Sequence, residues 1–334
     1  MLALTASVLL LAAAAALPTN DLVISKLGGD RYQYMRAGNG VLHLVDTWLK
    51  VSDLNAAARY APDTQNVYHL FTRANPTVSQ PILIGANGVL GSSNFNPSRR
   101  TIMILHGWID NVLGDVTTVL IPAFLEAEDV NVIAVDWSAG ASTINYAAAV
   151  VNTVTSGEAV ARFINWLNQS TGSTPAQFHI AGHSLGGHQS GIIGRNVNGN
   201  IACLRALDPA LPGWITNDNK FRANDGAYTE VIHTNAGLLG YITNLGHTDF
   251  YPNGGINMPG CNSQQCDHDR CFYYLAESLR TGGFTGTRCA TYAGAMTGNC
   301  VLWGNLQMGG LRPKTGSTGI YYLQTNAAPP FSRG

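Results

Sequence analysis

Residues 178–187 constrain the fold of this chain more than any other segment. An apolar stretch leads into Gly182-His183-Ser184-Leu185-Gly186-Gly187, and a helical pattern follows up to residue 197. Small residues on both sides of Ser184 let the backbone reverse sharply, so the pattern predicts a strand, a tight turn bearing Ser184, and a helix. A bare Gly-x-Ser-x-Gly match arises by chance about 0.2 times in a chain with 37 glycines, so the prediction depends on the flanking strand and helix.

Short apolar runs alternate with longer amphipathic ones along the rest of the chain. The predicted strands cover residues 67–73, 101–106, 131–136, 177–181, 201–207, 229–233 and 320–324, and the predicted helices cover 115–127, a stretch ending at 167, and 268–279. This alternation is typical of a mostly parallel sheet covered by helices on both faces. We therefore predict an α/β fold with a single domain over residues 61–334.

The amino-terminal residues predict export. Residues 1–16 are apolar, carry no charge and end in three alanines, which is typical of a secretory signal peptide cleaved near Ala16. The apolar stretch is too short for a membrane span, and no later segment offers a charge-free run of that length. Residues 17–60 form an N-terminal segment whose start is a candidate propeptide. We expect a soluble, secreted protein.

The charge content argues against a nucleic-acid-binding protein. The formal net charge is −1 and only 12% of residues are charged, so there is no basic stripe for nucleic acid.

An even number of cysteines in an exported chain predicts three disulfides with fifteen possible pairings. A zinc site built from Cys261, Cys266, His268 and Cys271 is the alternative. Asn168 begins an N-glycosylation sequon. The six cysteines are Cys203, Cys261, Cys266, Cys271, Cys289 and Cys300.

A serine hydroxyl becomes a useful nucleophile when an imidazole takes its proton and a carboxylate orients that imidazole. Asp208 directly follows the predicted strand 201–207 and precedes a proline, which places it in a loop at the carboxyl end of a strand. Asp249 is the rival acid, and Asp208 is preferred to it because Asp249 follows a loop rather than a clear strand. His268 is the candidate base, between a cysteine and a predicted helix.

Four other histidines compete with His268. His233 lies in an apolar strand and is interpreted as a hydrogen-bonded core residue, His247 lies in a loop, and His183 and His188 are too close to Ser184 in sequence to reach its hydroxyl. A tetrahedral intermediate also needs two N–H donors for its oxyanion. We predict these donors to be the backbone amides of Leu185 and, after the strand 101–106, of Trp108.

The chain resembles the pancreatic lipase family of α/β-hydrolases, particularly its secreted insect members, from about residue 67 to the C-terminus. The resemblance implies an α/β-hydrolase fold, with Ser184 as nucleophile, Asp208 as acid, His268 as base, and Trp108 and Leu185 as oxyanion donors. The motifs that carry it are His106-Gly107-Trp108-Ile109-Asp110, the Ser184 turn, Leu207-Asp208-Pro209-Ala210, Val231-Ile232-His233-Thr234, residues 246–255 from Gly246 to Gly255, and Met258-Pro259-Gly260-Cys261.

The chain departs from the triglyceride lipases of that family where they carry a lid. Only residues 262–265 separate Cys261 from Cys266, and four residues span at most about 14 Å. The loop between His233 and His247 is also shortened. Both truncations resemble the phospholipases and insect gut enzymes of the family, so we expect no lid-controlled activation.

The same comparison bears on metals, partners and disulfides. Of the family's calcium-binding positions only Asp225 matches, and the other positions hold Asn217, Lys220 and Arg222, so we expect no metal ion and no cofactor. Only 34 residues follow Cys300, so the β-sandwich that binds a protein cofactor in vertebrate digestive enzymes is not expected. The resemblance implies the disulfides Cys261–Cys266 and Cys289–Cys300. A third, Cys203–Cys271, is a hypothesis; it would tie the strand of Asp208 to the helix after His268.

The favoured function is a secreted lipase that cleaves glycerolipid acyl esters of neutral glycerides, or the sn-1 ester of phospholipids or galactolipids, with the gut lumen as one site of action. Its partner is a lipid or a lipid–water interface. A lipid-binding or storage protein like the family's yolk proteins is the first alternative, and it is disfavoured because those proteins lack the nucleophile. A peptidase or esterase acting on non-lipid substrates is the second, because a triad does not define the acyl group.

Overall fold

The computed structural model describes residues 22–26, 30–38, 40–301 and 304–334. The predicted signal peptide, 1–16, lies outside the described residues. The strands are β1 (Val23–Lys26), β2 (Tyr32–Arg36), β3 (Leu42–Asp46), β4 (Trp48–Lys50), β5 (Val67–Thr72), β6 (Asn75–Ile82), β7 (Thr101–Leu105), β8 (Asn131–Asp136), β9 (Phe178–His183), β10 (Cys203–Leu207), β11 (Thr229–Ile232), β12 (Thr248–Pro252), β13 (Thr285–Cys289), β14 (Asn305–Gln307) and β15 (Gly319–Leu323). The helices are α1 (Val51–Ala57), α2 (Pro62–Gln65), α3 (Asn87–Gly91), α4 (Asp115–Ala127), α5 (Ser138–Ala141), α6 (Tyr146–Thr171), α7 (Leu185–Asn196), α8 (Gln264–Arg280) and α9 (Tyr292–Thr297).

Eleven of these strands form one sheet in the order β14-β13-β15-β12-β11-β10-β9-β7-β8-β5-β6. The strands from β8 to β15 in this order pair in parallel, and antiparallel pairs complete both edges. The predicted α/β-hydrolase architecture is therefore confirmed. Because the carboxyl ends of parallel strands meet at one edge, the residues that follow β7, β9 and β10 come together there.

Helices cover both faces of the sheet, as strand β7 illustrates. Its side chains Ile102 and Ile104 pack with α4 and α8, whereas Met103 and Leu105 pack with α6 and α7 on the opposite face. Each of these side chains is at most 1% exposed and so stabilises the fold by about 1.5–3 kcal/mol. Burial on both faces explains why central strands such as β7 are apolar throughout most of their length.

Two local predictions differ from the structure. Asp249 lies inside strand β12 rather than after a loop, because β12 pairs in parallel with β11 and β15 despite its polar residues. Helix α8 begins at Gln264, before the predicted start at residue 268, because the Ser263 side chain caps it by accepting a hydrogen bond from the Cys266 amide at 3.2 Å. His268 therefore lies within the helix.

The N-terminal segment contributes two small pairs of strands. β2 and β3 form an antiparallel hairpin, and β1 pairs with β4. Met35 and Val45 of the hairpin join Trp108 in one buried cluster. The boundary between this segment and the domain at residue 61 stays a prediction. In the part of the chain that the structure describes, no helix is long and apolar enough to span a membrane.

The structure contains two of the three expected disulfides, Cys261–Cys266 and Cys289–Cys300. The third prediction was wrong, since Cys203 and Cys271 are free and buried. Cys203 begins strand β10, whereas the Cys271 thiol donates to the backbone carbonyl of His268, near the opposite end of that strand. The first and last α-carbons of the five-residue strand β10 are roughly 13 Å apart, and a disulfide needs α-carbons within about 7 Å.

Candidate active site

Ser184 occupies the turn between β9 and α7 with φ 56° and ψ −119°, a backbone conformation that non-glycine residues rarely adopt. The neighbouring glycines make this turn possible. A β-carbon on Gly182 would lie 1.9 Å from the carbonyl oxygen of Gly186, and one on Gly186 would lie 2.6 Å from the carbonyl oxygen of Leu105. The predicted strand–turn–helix is present, and the residues that flank the serine have to be small.

Asp208 follows β10 and binds His268 of α8. The Nδ1–H of His268 donates to Asp208 Oδ2 at 2.5 Å, and both side chains are buried. The other carboxylate oxygen accepts from the backbone amides of Thr234 at 2.8 Å and Asn235 at 3.0 Å. These bonds fix the carboxylate and leave Nε2 of the imidazole as its proton acceptor.

Ser184 and His268 line the same cleft, together with Gly107 and Trp108. Within the described residues the Ser184 hydroxyl makes no hydrogen bond, and hydroxyl–imidazole contacts of this kind often tighten only when substrate binds. A β-carbon on Gly107 would lie 3.7 Å from the Ser184 hydroxyl oxygen. Glycine at this position therefore keeps space open directly beside the hydroxyl.

Two backbone amides at the cleft are available as donors. In the described part of the chain, the N–H groups of Trp108 and Leu185 donate to no protein acceptor. Leu185 is the first residue of α7, so its amide lies at the positive end of a helix dipole. The Trp108 indole donates to the backbone carbonyl of Thr143 at 2.7 Å, which fixes the residue. The structure thus brings together all five residues predicted for the site.

His183 and Asp269 flank this arrangement and were not predicted. The Nε2–H of His183 donates to the backbone carbonyl of His268 at 3.2 Å, which links the neighbour of Ser184 to the imidazole-bearing residue. Burial, with a smaller contribution from the nearby His268 ring, lowers the pKa of His183 well below its ordinary value, so His183 is neutral. The Asp269 carboxylate lies 3.7 Å from the same nitrogen, and burial raises its pKa to about 7. No sequence pattern marks Asp269 as a neighbour of His183, because Asp269 is simply the residue that follows His268 in α8.

The competing residues have other partners. His233 Nε2 lies 2.9 Å from Asp249 Oδ1, in a pair fully buried outside the cleft lining. His188 Nε2–H donates to the backbone carbonyl of Ala210 at 2.7 Å. His247 Nδ1 lies 2.8 Å from the Thr229 hydroxyl. Neither Asp249 nor any of these three histidines is among the residues that line the cleft of Ser184.

The residues of both candidate metal sites are engaged in other bonds. The zinc interpretation was wrong, because Cys261 and Cys266 are joined in a disulfide. Asp225 binds the Arg195 guanidinium through both carboxylate oxygens at 3.0 and 2.8 Å, so a cation already neutralises it. Among the residues with described placement, no group of three or more His, Cys, Asp or Glu could hold a metal ion.

Comparison with known proteins adds to this geometry. A family model described as Lipase matches residues 45–331. Pancreatic triacylglycerol lipase of Myocastor coypus is 33% identical over 311 residues, which cover 82% of this chain and 68% of the relative. The human enzyme of that name is 32% identical over 308 residues, covering 81% and 66%. Lipase member H of Xenopus tropicalis is 35% identical over 252 residues, covering 69% of this chain and 52% of the relative.

Proposed function

The chain belongs to the lipase family of hydrolases, and from this premise we propose that it cleaves glycerolipid acyl esters with Ser184 as nucleophile, His268 as base and Asp208 as acid. The observation that carries the proposal is the Asp208–His268 hydrogen bond of 2.5 Å, in a pair that shares one cleft with Ser184. Asp208 and Asp249 are both buried, but only the former binds a histidine of the cleft.

In the proposed reaction the Ser184 oxygen attacks the ester carbonyl carbon while its proton passes to Nε2 of His268. The carbonyl oxygen becomes an oxyanion, and the free amides of Trp108 and Leu185 donate to it. The ester C–O bond then breaks, and the imidazolium returns its proton to the leaving alcohol. Water repeats the sequence on the acyl-enzyme, which releases the fatty acid and restores the serine.

The short loop between Cys261 and Cys266 supports an uncovered cleft. Residues 262–264 are exposed and polar, and Gln265 lines the cleft without closing it. We therefore propose that activity does not depend on opening a lid, and that the substrates are neutral glycerides or the sn-1 ester of phospholipids or galactolipids. The predicted signal peptide and the two disulfides support secretion, since disulfides persist in oxidising compartments.

The test compares single variants on a dissolved short-chain chromogenic ester. We expect Ser184→Ala to abolish turnover and Asp208→Asn to lower kcat by about 10⁴. Asp249→Asn is the matched control, because this carboxylate is equally buried but lies outside the cleft lining. Full turnover by Ser184→Ala, or a larger loss of kcat in Asp249→Asn than in Asp208→Asn, would contradict the assignment.

The substrate class needs a separate measurement. Purified protein is given triglyceride, phosphatidylcholine and galactolipid, and the released positional isomers are identified. Release of fatty acid from at least one of them supports the proposed lipase. A protein that binds these lipids but hydrolyses none would be of the storage type, and one that cleaves only non-lipid esters would be a general esterase.

A further inference from the structure

The outer face of the β2–β3 hairpin exposes four apolar side chains to solvent, and the charged residues Arg36 and Asp46 lie across the strands from two of them. Strict alternation buries Met35 and Val45 on the inner face. On the outer face Tyr34 pairs directly with Leu44 across the two strands, with 67% and 56% of these side chains exposed. A soluble protein rarely leaves contiguous apolar side chains uncovered without a partner. The outer apolar residues are Tyr32, Tyr34, Leu42 and Leu44, here called the hairpin face.

This hairpin forms one side of the catalytic cleft. Met35, Arg36 and Gly38 line the cleft together with Ser184, and the Gly38 amide donates to the backbone carbonyl of Trp108 at 3.1 Å. Arg36 lines the cleft and is also exposed to solvent. The hairpin face therefore lies on a hairpin that borders the cleft.

Two other segments place exposed apolar side chains beside the cleft. Leu113 is 82% exposed and precedes the cleft-lining residues Asp115 and Val116, and the exposed Leu238 precedes Leu239, which also lines the cleft. Three segments far apart in sequence thus carry exposed apolar side chains close in sequence to residues that line the cleft. This arrangement is typical of a surface that inserts shallowly into lipid.

We propose that the hairpin face docks the protein onto the surface of a lipid aggregate, with the cleft opening toward that surface. This docking rests on the proposed lipase function, and it would bring the cleft to an insoluble substrate. Tyrosine suits such a surface because its ring is apolar while its hydroxyl stays with the polar headgroups. A protein partner seated at this rim would obstruct the cleft, whereas a lipid surface covers the rim and supplies the ester.

Binding is measured without hydrolysis by placing two substitutions, Tyr34→Ser and Leu44→Ser, in a Ser184→Ala background and sedimenting the protein with phosphatidylcholine vesicles. We expect the partition coefficient to fall about tenfold or more. The control pair is Val78→Ser with Leu83→Ser, which are 73% and 53% exposed but outside the cleft lining, and should leave partitioning unchanged. Equal partitioning of the hairpin variant and its parent would overturn the proposal.

The same hairpin substitutions are then tested with Ser184 intact. We expect unchanged kcat/KM on a dissolved short-chain ester and a tenfold or greater loss of rate on emulsified triglyceride. If the parent binds vesicles through the hairpin but hydrolyses no ester, the docking proposal stands and the proposed function fails. If the hairpin substitutions convert a dimer into a monomer in sedimentation velocity, the face joins two copies of the chain and lipid docking is overturned.

Discussion

Replacing Glu230 with glutamine is expected to lower the free energy of unfolding by about 3–5 kcal/mol. Glu230 lies in β11 and is fully buried. Its carboxylate accepts from Arg205 Nε at 3.2 Å, the Tyr228 hydroxyl at 2.8 Å and the Gly309 amide at 3.1 Å, and also from Lys314 Nζ. Glutamine keeps the shape of the side chain but removes the charge, which leaves the buried Arg205 guanidinium without a counter-ion.

The expected loss of unfolding free energy depends on the burial of the ion pair, so an ion pair on the surface serves as the control. Glu126 bonds to Arg280, but their side chains are 57% and 38% exposed. Glu126→Gln should change the free energy of unfolding by no more than about 1 kcal/mol, because water solvates both groups when the pair is broken. The contrast between the two glutamine variants isolates the cost of an unpaired buried charge.

The assay is urea denaturation followed by tryptophan fluorescence at pH 7 and at pH 4. Burial opposes ionisation of Glu230, but Lys314 and Arg205 outweigh it and hold its pKa below the ordinary 4.5. A lowered carboxylate pKa contributes stability above the unfolded-state pKa, and this contribution is lost as the pH falls. The difference between parent and Glu230→Gln should therefore shrink at pH 4. A difference at pH 7 no larger than that of Glu126→Gln would refute the reasoning.

Two further predictions concern Asp269 and the free thiols. Burial raises the pKa of Asp269 from 3.8 to about 7, so the folded protein loses stability as the pH rises through that range and the buried carboxyl ionises. Asp269→Asn should therefore raise the free energy of unfolding at pH 8 by up to about 4 kcal/mol and change it little at pH 4. Urea denaturation of parent and variant at both pH values measures this, and an equal effect at the two would contradict it. Cys203 and Cys271 should react with a thiol reagent only after the protein is unfolded in the absence of reductant, and the reagent should then detect two thiols per chain. Detection of no thiol would reveal a third disulfide.

The placement of Ser184 and Asp208 could be predicted because each follows a fully buried parallel strand. Such strands appear in a sequence as short, mainly apolar runs, and the turn after β9 is also marked by glycines. Strand β12 was not recognised because Thr248 and Asp249 interrupt its apolar pattern. Their polar groups are satisfied inside the fold, with Asp249 accepting from the Leu245 and Gly246 amides, and a linear pattern does not show such partners.

The failed disulfide prediction has a different physical cause. Joining Cys203 to Cys271 accounted for all six cysteines and related the correct elements, but it ignored that Cys203 and Asp208 lie at opposite ends of one strand. No sequence pattern predicted that the β2–β3 hairpin would line the cleft. This position depends on tertiary packing of Met35 against the region of Trp108, and sequence separation carries no information about that contact.

Ser184, the proposed nucleophile, is attached to the strand that leads to Asp208 mainly through the backbone. The Ser184 amide donates to the Leu207 carbonyl at 3.1 Å, and the Ser184 carbonyl accepts from the Ala210 amide at 3.2 Å. These bonds bracket Asp208 and involve no side chain. Mutations around the rim can therefore accumulate and redirect the choice of ester while the spacing of the reacting groups stays constant, so that specificity and chemistry are free to evolve separately.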